Sequence, residues 1–233
     1  MASAEAVSAA LRELGADVVE VDVAGPGFTL PDGIDLAFNM IHGTFGEDGQ
    51  LQRELEARGI PYTCEGVEGS ELAFDKILSK ERFLAAGIPT PRHQVVAAGE
   101  VPTLPLPYVI KAPREGSSVG IFIVKTEGEV APAVTAAAKY GKRLLVEEYI
   151  PGRELTVGVL GDLALPIVEI RPKVGFYDFR NKYPFLDPEG KGAADHYCPA
   201  NLDEETTRRV QEMALAAHRA LGLRVYSRVD FLL

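Results

Sequence analysis

The residues able to do chemistry in this chain fall in a few short stretches. The first is Tyr108-Val-Ile-Lys111, followed by Arg114-Glu-Gly-Ser-Ser-Val-Gly120. A lysine closing an apolar strand is badly placed if its ammonium enters a core without a partner, and well placed if it meets phosphate oxygens. The turn after it offers backbone N–H groups and two hydroxyls, the materials of an anion cradle. An exposed hairpin with a solvated lysine fits equally, because a Gly-rich loop alone does not separate the two. The second stretch is Leu144-Leu-Val-Glu-Glu-Tyr-Ile-Pro-Gly-Arg-Glu154. Adjacent residues of a strand point to opposite faces, so one of Glu147 and Glu148 faces inward and needs a hydrogen-bond donor there. Two surface glutamates at a fraying strand end is the bland alternative.

The third stretch, Phe176-Tyr-Asp-Phe-Arg-Asn-Lys-Tyr183, lies in a run reaching Pro199 with no legible element. A loop that long is functional or disordered. Its aromatic and charged mixture argues against disorder and suits a lid that closes over a reactive intermediate. The fourth, Tyr226-Ser-Arg-Val-Asp-Phe231, sets Arg228 and Asp230 on one face of an apolar strand. They are either a buried ion pair or a carboxylate for Mg²⁺ beside an arginine for developing negative charge.

Periodicity supplies the elements that carry these stretches. Ala4 to Leu14 is helical and stops at Gly15. Asp17 to Val23 alternates as a strand, and Ile34 to Ile41 reads as a buried strand entering the loop His42-Gly-Thr-Phe-Gly-Glu-Asp-Gly49. Gln50 to Arg58 returns to helix. This order is a fragment of a doubly wound α/β domain, although the chain opens inside its first helix where such domains open with a strand. A helix from Glu71 to Ala86 and a Pro-rich linker, Gly87-Ile-Pro-Thr-Pro91, follow. Beyond them strands dominate: Tyr108 to Lys111, Gly120 to Lys125, Leu144 to Tyr149, Leu155 to Leu160 and Leu165 to Ile170, with helices at Gly128 to Tyr140 and Glu204 to Leu221. That block is α+β and mostly antiparallel, which sets a domain boundary between Gly69 and Pro89.

The 233 residues suffice for one large or two modest domains, and 46% hydrophobic with 25% charged residues is ordinary for a globular chain. A net charge of -10 with scattered acids argues against nucleic acid, which needs clustered Lys and Arg. No apolar run approaches the roughly 18 residues of a membrane span, and no secretory signal is indicated. Cys64 and Cys198 form neither a zinc pattern nor a disulfide framework. The default compartment is the cytosol.

In order and spacing, His42 to Gly49, Gly59-Ile-Pro-Tyr-Thr63, Asp75-Lys76, Gly87 to Pro91, Lys111 with Glu115-Gly-Ser-Ser118, Glu147 to Glu154, Phe176-Tyr-Asp-Phe with Lys182-Tyr183, and Arg228-Val-Asp230 resemble the D-alanine–D-alanine ligase family along essentially the whole chain. The resemblance implies α/β and α+β architecture: a Rossmann-like (preATP-grasp) domain over residues 1–70, then a two-lobed ATP-grasp domain over 71–233, its lobes meeting near residue 145. It implies that ATP phosphorylates the carboxylate of one D-alanine, and that the amine of a second displaces phosphate to give a dipeptide for peptidoglycan precursors. Lys76, Lys111 and Lys182 would meet ATP phosphates, Glu147, its neighbour Glu148 and the backbone at Ile150 would surround adenine, and Glu154 would bind the ribose. Ser117 and Tyr183 would position the amino acids across the lid, His42 would lie beside the first substrate's carboxylate, Arg228 would stabilise the oxyanion, and Asp230 would hold Mg²⁺ (or Mn²⁺). A cytoplasmic homodimer is implied as well.

The chain departs from the family at Cys64-Glu-Gly66 and at Lys111-Ala-Pro113. The family's Gly-rich first strand and its C-terminal hairpin, which bears a second metal-binding glutamate, have no counterpart between Met1 and Leu233. Read alone, the sequence therefore predicts a chain that binds nucleotide and turns over poorly. The alternatives are a ligase using D-serine or D-lactate, with Tyr183 speaking against lactate, and a nucleotide-binding remnant without turnover.

Overall fold

The structure is a computed structural model and describes residues 2–173 and 194–233. The chain divides into two compact units, Met1–Glu71 and Leu72–Leu233.

The first unit carries helices α1 (Ala2–Glu13) and α2 (Gln50–Ala57) and most of α3 (Val67–Phe74). Its core is Phe45, Leu51 and Leu55, with Val23, Phe28, Leu30, Ile41 and Ile60 packed on them. The loop entering α2 is held by amides: Asn39 Nδ2 and Gln52 Nε2 both donate to the Gly46 carbonyl, at 2.9 and 3.0 Å. Only glycine fits at Gly46, since a Cβ would come within 2.3 Å of the Ile41 carbonyl oxygen. The two strands expected here do not form as ladders. Among the described residues of this unit the pairing is a single parallel bridge, Ala37 to Tyr62, with Ala37 N donating to Pro61 O at 2.8 Å. Pro61 has no N–H to extend the ladder. Alternation alone does not make a strand without a neighbouring backbone: Leu36 and Phe38 stay 53% and 46% exposed.

The second unit opens with α4 (Lys76–Ala85). The helix expected from Glu71 to Ala86 is two helices, because Asp75 breaks it: its carboxylate accepts from the Ile77 and Leu78 amides and so caps α4. Four strands, β1 (His93–Ala97), β2 (Tyr108–Lys111), β3 (Ile121–Val124) and β4 (Arg143–Glu148), form an antiparallel sheet in the order β1-β4-β2-β3. Tyr108, Ile110, Leu144 and Val146 point to one face and pack on Val130, Val134 and Ala137 of α5 (Glu127–Ala137). The alternate residues, Lys111 and Glu147 among them, take the opposite face.

The second sheet contains β5 (Glu154–Leu160), β6 (Leu163–Ala164), β7 (Val168–Pro172) and β8 (Ala194–Tyr197) in the order β6-β5-β7-β8, with β9 (Tyr226–Leu232) on the free side of β5. All its pairings are antiparallel. Leu155, Val157 and Val159 of β5 and Val229 and Phe231 of β9 pack towards Val210 and Ala214 of α6 (Glu204–Ala220). Strand β8 falls in the stretch read as loop. Its sequence, Ala-Asp-His-Tyr, is largely exposed, ends the strand order among the described residues, and shows no alternation.

Candidate active site

The first turn of α4 is tied to the loop leaving β2. Lys76 N donates to Pro113 O at 2.9 Å, Lys76 Nζ donates to Glu115 O at 2.6 Å, and Arg114 approaches Asp75 at 4.0 Å. These contacts bring Lys76 beside Lys111. Burial, and then the positive charge of Lys111, lower Lys76 to about 8. Two lysines crowded together in a water-poor place are an arrangement that an anion relieves.

Across β2 and β4 the register sets Val109 opposite Glu147 and Lys111 opposite Leu145. Lys111 and Glu147 are therefore diagonal neighbours on one face, within reach for long side chains, and they form an ion pair. On its other oxygen Glu147 accepts from Lys80 of α4 at 2.6 Å. Lys80 lies one helical turn after Lys76, on the same helix face. Burial alone would raise the Glu147 carboxyl, but Lys111 and Lys80 outweigh it and hold it below the usual carboxylate range. Of the two adjacent acids Glu147 is the inward one. Glu148 is turned to Arg92, which donates to it from its backbone N at 3.0 Å and from Nε at 2.7 Å.

The turn between β2 and β3 is conformationally costly. Ser117 and Ser118 have φ of 52° and 62°, left-handed values that non-glycine residues adopt at a cost of order 1–3 kcal/mol each and that cluster at functional sites. The turn is closed by Val119 N donating to Gly116 O at 3.0 Å and Ala112 N donating to Gly120 O at 2.9 Å.

Ile150 sits half-buried in the connection from β4 to β5, and Glu154 opens β5 opposite Ile170 and Leu232. Beside them lies a second buried acid. Glu169 of β7 takes paired hydrogen bonds from Arg153, at 2.8 and 2.7 Å, and from Arg171, both at 2.9 Å. These bonds hold its carboxyl down at about 2.

Arg228 and Asp230 alternate with the core residues Val229 and Phe231 on β9 and so share its outer face. They are paired at 3.0 Å, and Asp230 also accepts from Thr156 of β5 at 2.7 Å. Both are largely exposed, so the pair is not the buried one weighed from the sequence. With Ser79 and Phe83 of α4 they line a cavity of about 190 Å³. At its edge the buried His218 of α6 shares a hydrogen bond at 2.8 Å with Ser227, one residue before Arg228. Mg²⁺ is held by one or two carboxylates together with substrate phosphates. Asp230 suits one such position, and among the described residues no cluster of three His, Cys, Asp or Glu makes a closed metal site.

The structure thus brings Lys76, Lys111 and Glu147 together, and separately Arg228 with Asp230. His42 lies in the first unit, exposed, with Nδ1 3.9 Å from Glu47. Lys182 and Tyr183, with most of the stretch read as a lid, lie outside the described residues. Lys80, Thr156 and Glu169 escaped the sequence reading. The spacing of Lys80 from Lys76 was the available signal for the first, whereas Thr156 is recognised only through strand pairing.

The family profile for the D-ala D-ala ligase N-terminus matches residues 4–65, and that for the D-ala D-ala ligase C-terminus matches residues 82–233. A D-alanine–D-alanine ligase of Methylacidiphilum infernorum is 46% identical over 231 residues, covering 99% of this chain and 74% of that protein. The solved D-alanine–D-alanine ligase of Bacillus anthracis superposes with a TM-score of 0.76 at 30% identity, over 87% of this chain and 66% of that one. The same enzyme complexed with ATP gives 0.71 at 28% identity, over 86% and 64%. The two antiparallel lobes are those of an ATP-grasp fold. Within it, the chain belongs to the D-alanine–D-alanine ligase family.

Proposed function

We propose that this chain joins two D-alanines into D-alanyl-D-alanine at the expense of ATP, supplying peptidoglycan precursors in the cytoplasm and acting as a homodimer. The observation that carries the reading is the pair of the half-buried Lys111 with the buried Glu147 beside Lys76, in a family whose Bacillus anthracis member has been solved with ATP. The reaction transfers the γ-phosphoryl group to a D-alanine carboxylate. The second amine attacks the acyl carbon, the carbon–oxygen bond to phosphate breaks, and the amine proton is released.

Each chain residue has a task that its surroundings allow. Lys76 and Lys111 neutralise phosphate oxygens, which is most of what phosphoryl transfer asks of a protein. Glu147, ionised by its lysines, accepts from the adenine amino group, with the Ile150 backbone beside it, and Glu154 takes the ribose hydroxyls. The Ser117 turn orients the amino acid. Arg228, on an exposed strand face, stabilises the charge that develops on the attacked carboxyl. Bound Mg²⁺, with Asp230 among its ligands, would reduce phosphate charge. By the family resemblance Lys182 meets the ATP phosphates, Tyr183 positions the amino acids with Ser117, and His42 is given the carboxylate of the first substrate. Among the described residues no helix is long and apolar enough to cross a membrane.

The test is phosphate release from ATP measured with and without D-alanine. Release that requires D-alanine, and is not supported by L-alanine, is expected. Nucleotide binding without any amino-acid-dependent release would identify a binding remnant.

A further inference from the structure

The two lysines on Glu147 are not equivalent. An ammonium has three N–H donors, and those of Lys80 are all engaged: Thr90 Oγ1 at 2.7 Å, the Pro91 carbonyl at 2.7 Å and Glu147 Oε1 at 2.6 Å. Its side chain is 4% exposed, whereas that of Lys111 is 28% exposed and stands at the end of β2 where the Gly116 turn begins. Lys80 is locked into the scaffold. Lys111 is held by Glu147 but stands within reach of a ligand.

We infer that Lys80 is the permanent counter-ion of Glu147 and Lys111 the exchangeable one, so that nucleotide binding moves Lys111 from the carboxylate to phosphate. The inference rests on the reading of this cleft as the ATP site and adds the residue that makes it work. Removing one partner from a buried ion pair strands the other charge, which is strongly unfavourable. Were Lys111 the sole partner of Glu147, capturing phosphate would strand the acid, and Glu147 would compete with phosphate for the lysine. Lys80 removes that conflict. It keeps Glu147 ionised and therefore acceptor-only, in the state that adenine's amino group requires. Lys80 itself touches no ligand: it is a positioning residue.

The test measures dissociation constants for ATP, GTP and inorganic tripolyphosphate, without added metal, on the wild-type chain, Lys80→Met and Lys80→Met/Glu147→Gln. Tripolyphosphate needs no base contact, so it reports whether Lys111 is available. Lys80→Met should weaken tripolyphosphate by about tenfold or more, the worth of one charge-assisted hydrogen bond. Adding Glu147→Gln should restore it to within about threefold while the preference for ATP over GTP stays lost. A merely structural lysine would lower the melting temperature and give no such recovery. Should the single variant fail to fold, the double variant lacks both buried charges, and by itself it must bind tripolyphosphate as wild type does and fail to prefer ATP. Tripolyphosphate affinity unchanged in Lys80→Met, or a double variant that still prefers ATP, overturns the role given to Lys80. A wild-type chain that binds no ATP overturns the nucleotide reading itself.

Discussion

Lys80 of α4 and Glu147 of β4 meet at 2.6 Å, and through that contact the helix is fastened to the sheet face that carries Lys111. One buried acid among Lys76, Lys80 and Lys111 leaves the cluster with an excess of positive charge. A site of that sign, on the side of the sheet away from α5, suits a polyphosphate.

Lys111→Ala should therefore weaken ATP binding by about 1.5–3 kcal/mol, the range for a hydrogen bond to a charged group, or roughly tenfold to a hundredfold in Kd. Isothermal titration calorimetry measures this directly. An affinity within about threefold of wild type would remove Lys111 from the phosphate site.

Lys76 gives the site a pH dependence. Its folded-state value of about 8 lies below the ordinary lysine value of 10.5, so the fold disfavours the ammonium, and this group's contribution to stability improves as pH rises from 8 towards 10.5. Phosphate binds the charged form. ATP affinity should accordingly fall as pH passes from 7 to 9, and binding near pH 8 should take up protons, seen by titration in buffers of differing ionisation enthalpy. Lys76→Met should abolish the uptake.

Glu169→Gln should destabilise the chain by about 2 kcal/mol, as bonds to a charged acceptor are replaced by weaker ones. The corresponding fall in melting temperature is roughly 4–8 °C for a chain of this size. Because Arg153 and Arg171 hold Glu169 at about 2, below the ordinary 4.5, its contribution is present above pH 4.5 and is lost as pH falls towards 2. The variant's deficit should shrink over that window in thermal melts.

Gly120→Ala tests the turn beneath Lys111. Gly120 has φ of 67°, and a Cβ there would come within 2.7 Å of Ala112 Cβ. Strain and overlap together should cost about 1–3 kcal/mol, read as an earlier chemical unfolding midpoint.

The sheets of the second unit were legible where one face is buried. β2 and β5 alternate in burial because Ile110 and Val157 must meet helices, β4 is a continuous buried apolar run, and the lysine and glutamate ending apolar runs stood out against them. β8 was not legible because an exposed strand imposes no pattern on its residues. The first unit misled in the opposite direction: Val19, Leu36 and Phe38 alternate like strand residues but are exposed, with no sheet ladder among the described residues. Lys80 was hidden by its type, since a lysine inside a helix is ordinarily solvated; its one-turn spacing from Lys76 was the only trace in the sequence, and the contact with Glu147 shows what the spacing is for.

Ligation through an acyl phosphate moves a carboxylate oxygen of D-alanine onto phosphate, and oxygen-18 in that carboxylate follows the transfer. Phosphate formed alongside D-alanyl-D-alanine should carry one labelled oxygen per dipeptide, read by mass spectrometry, because the carboxylate oxygen that attacks ATP leaves with the phosphoryl group. Unlabelled phosphate would exclude the acyl phosphate, and phosphate released with no dipeptide formed would exclude ligation.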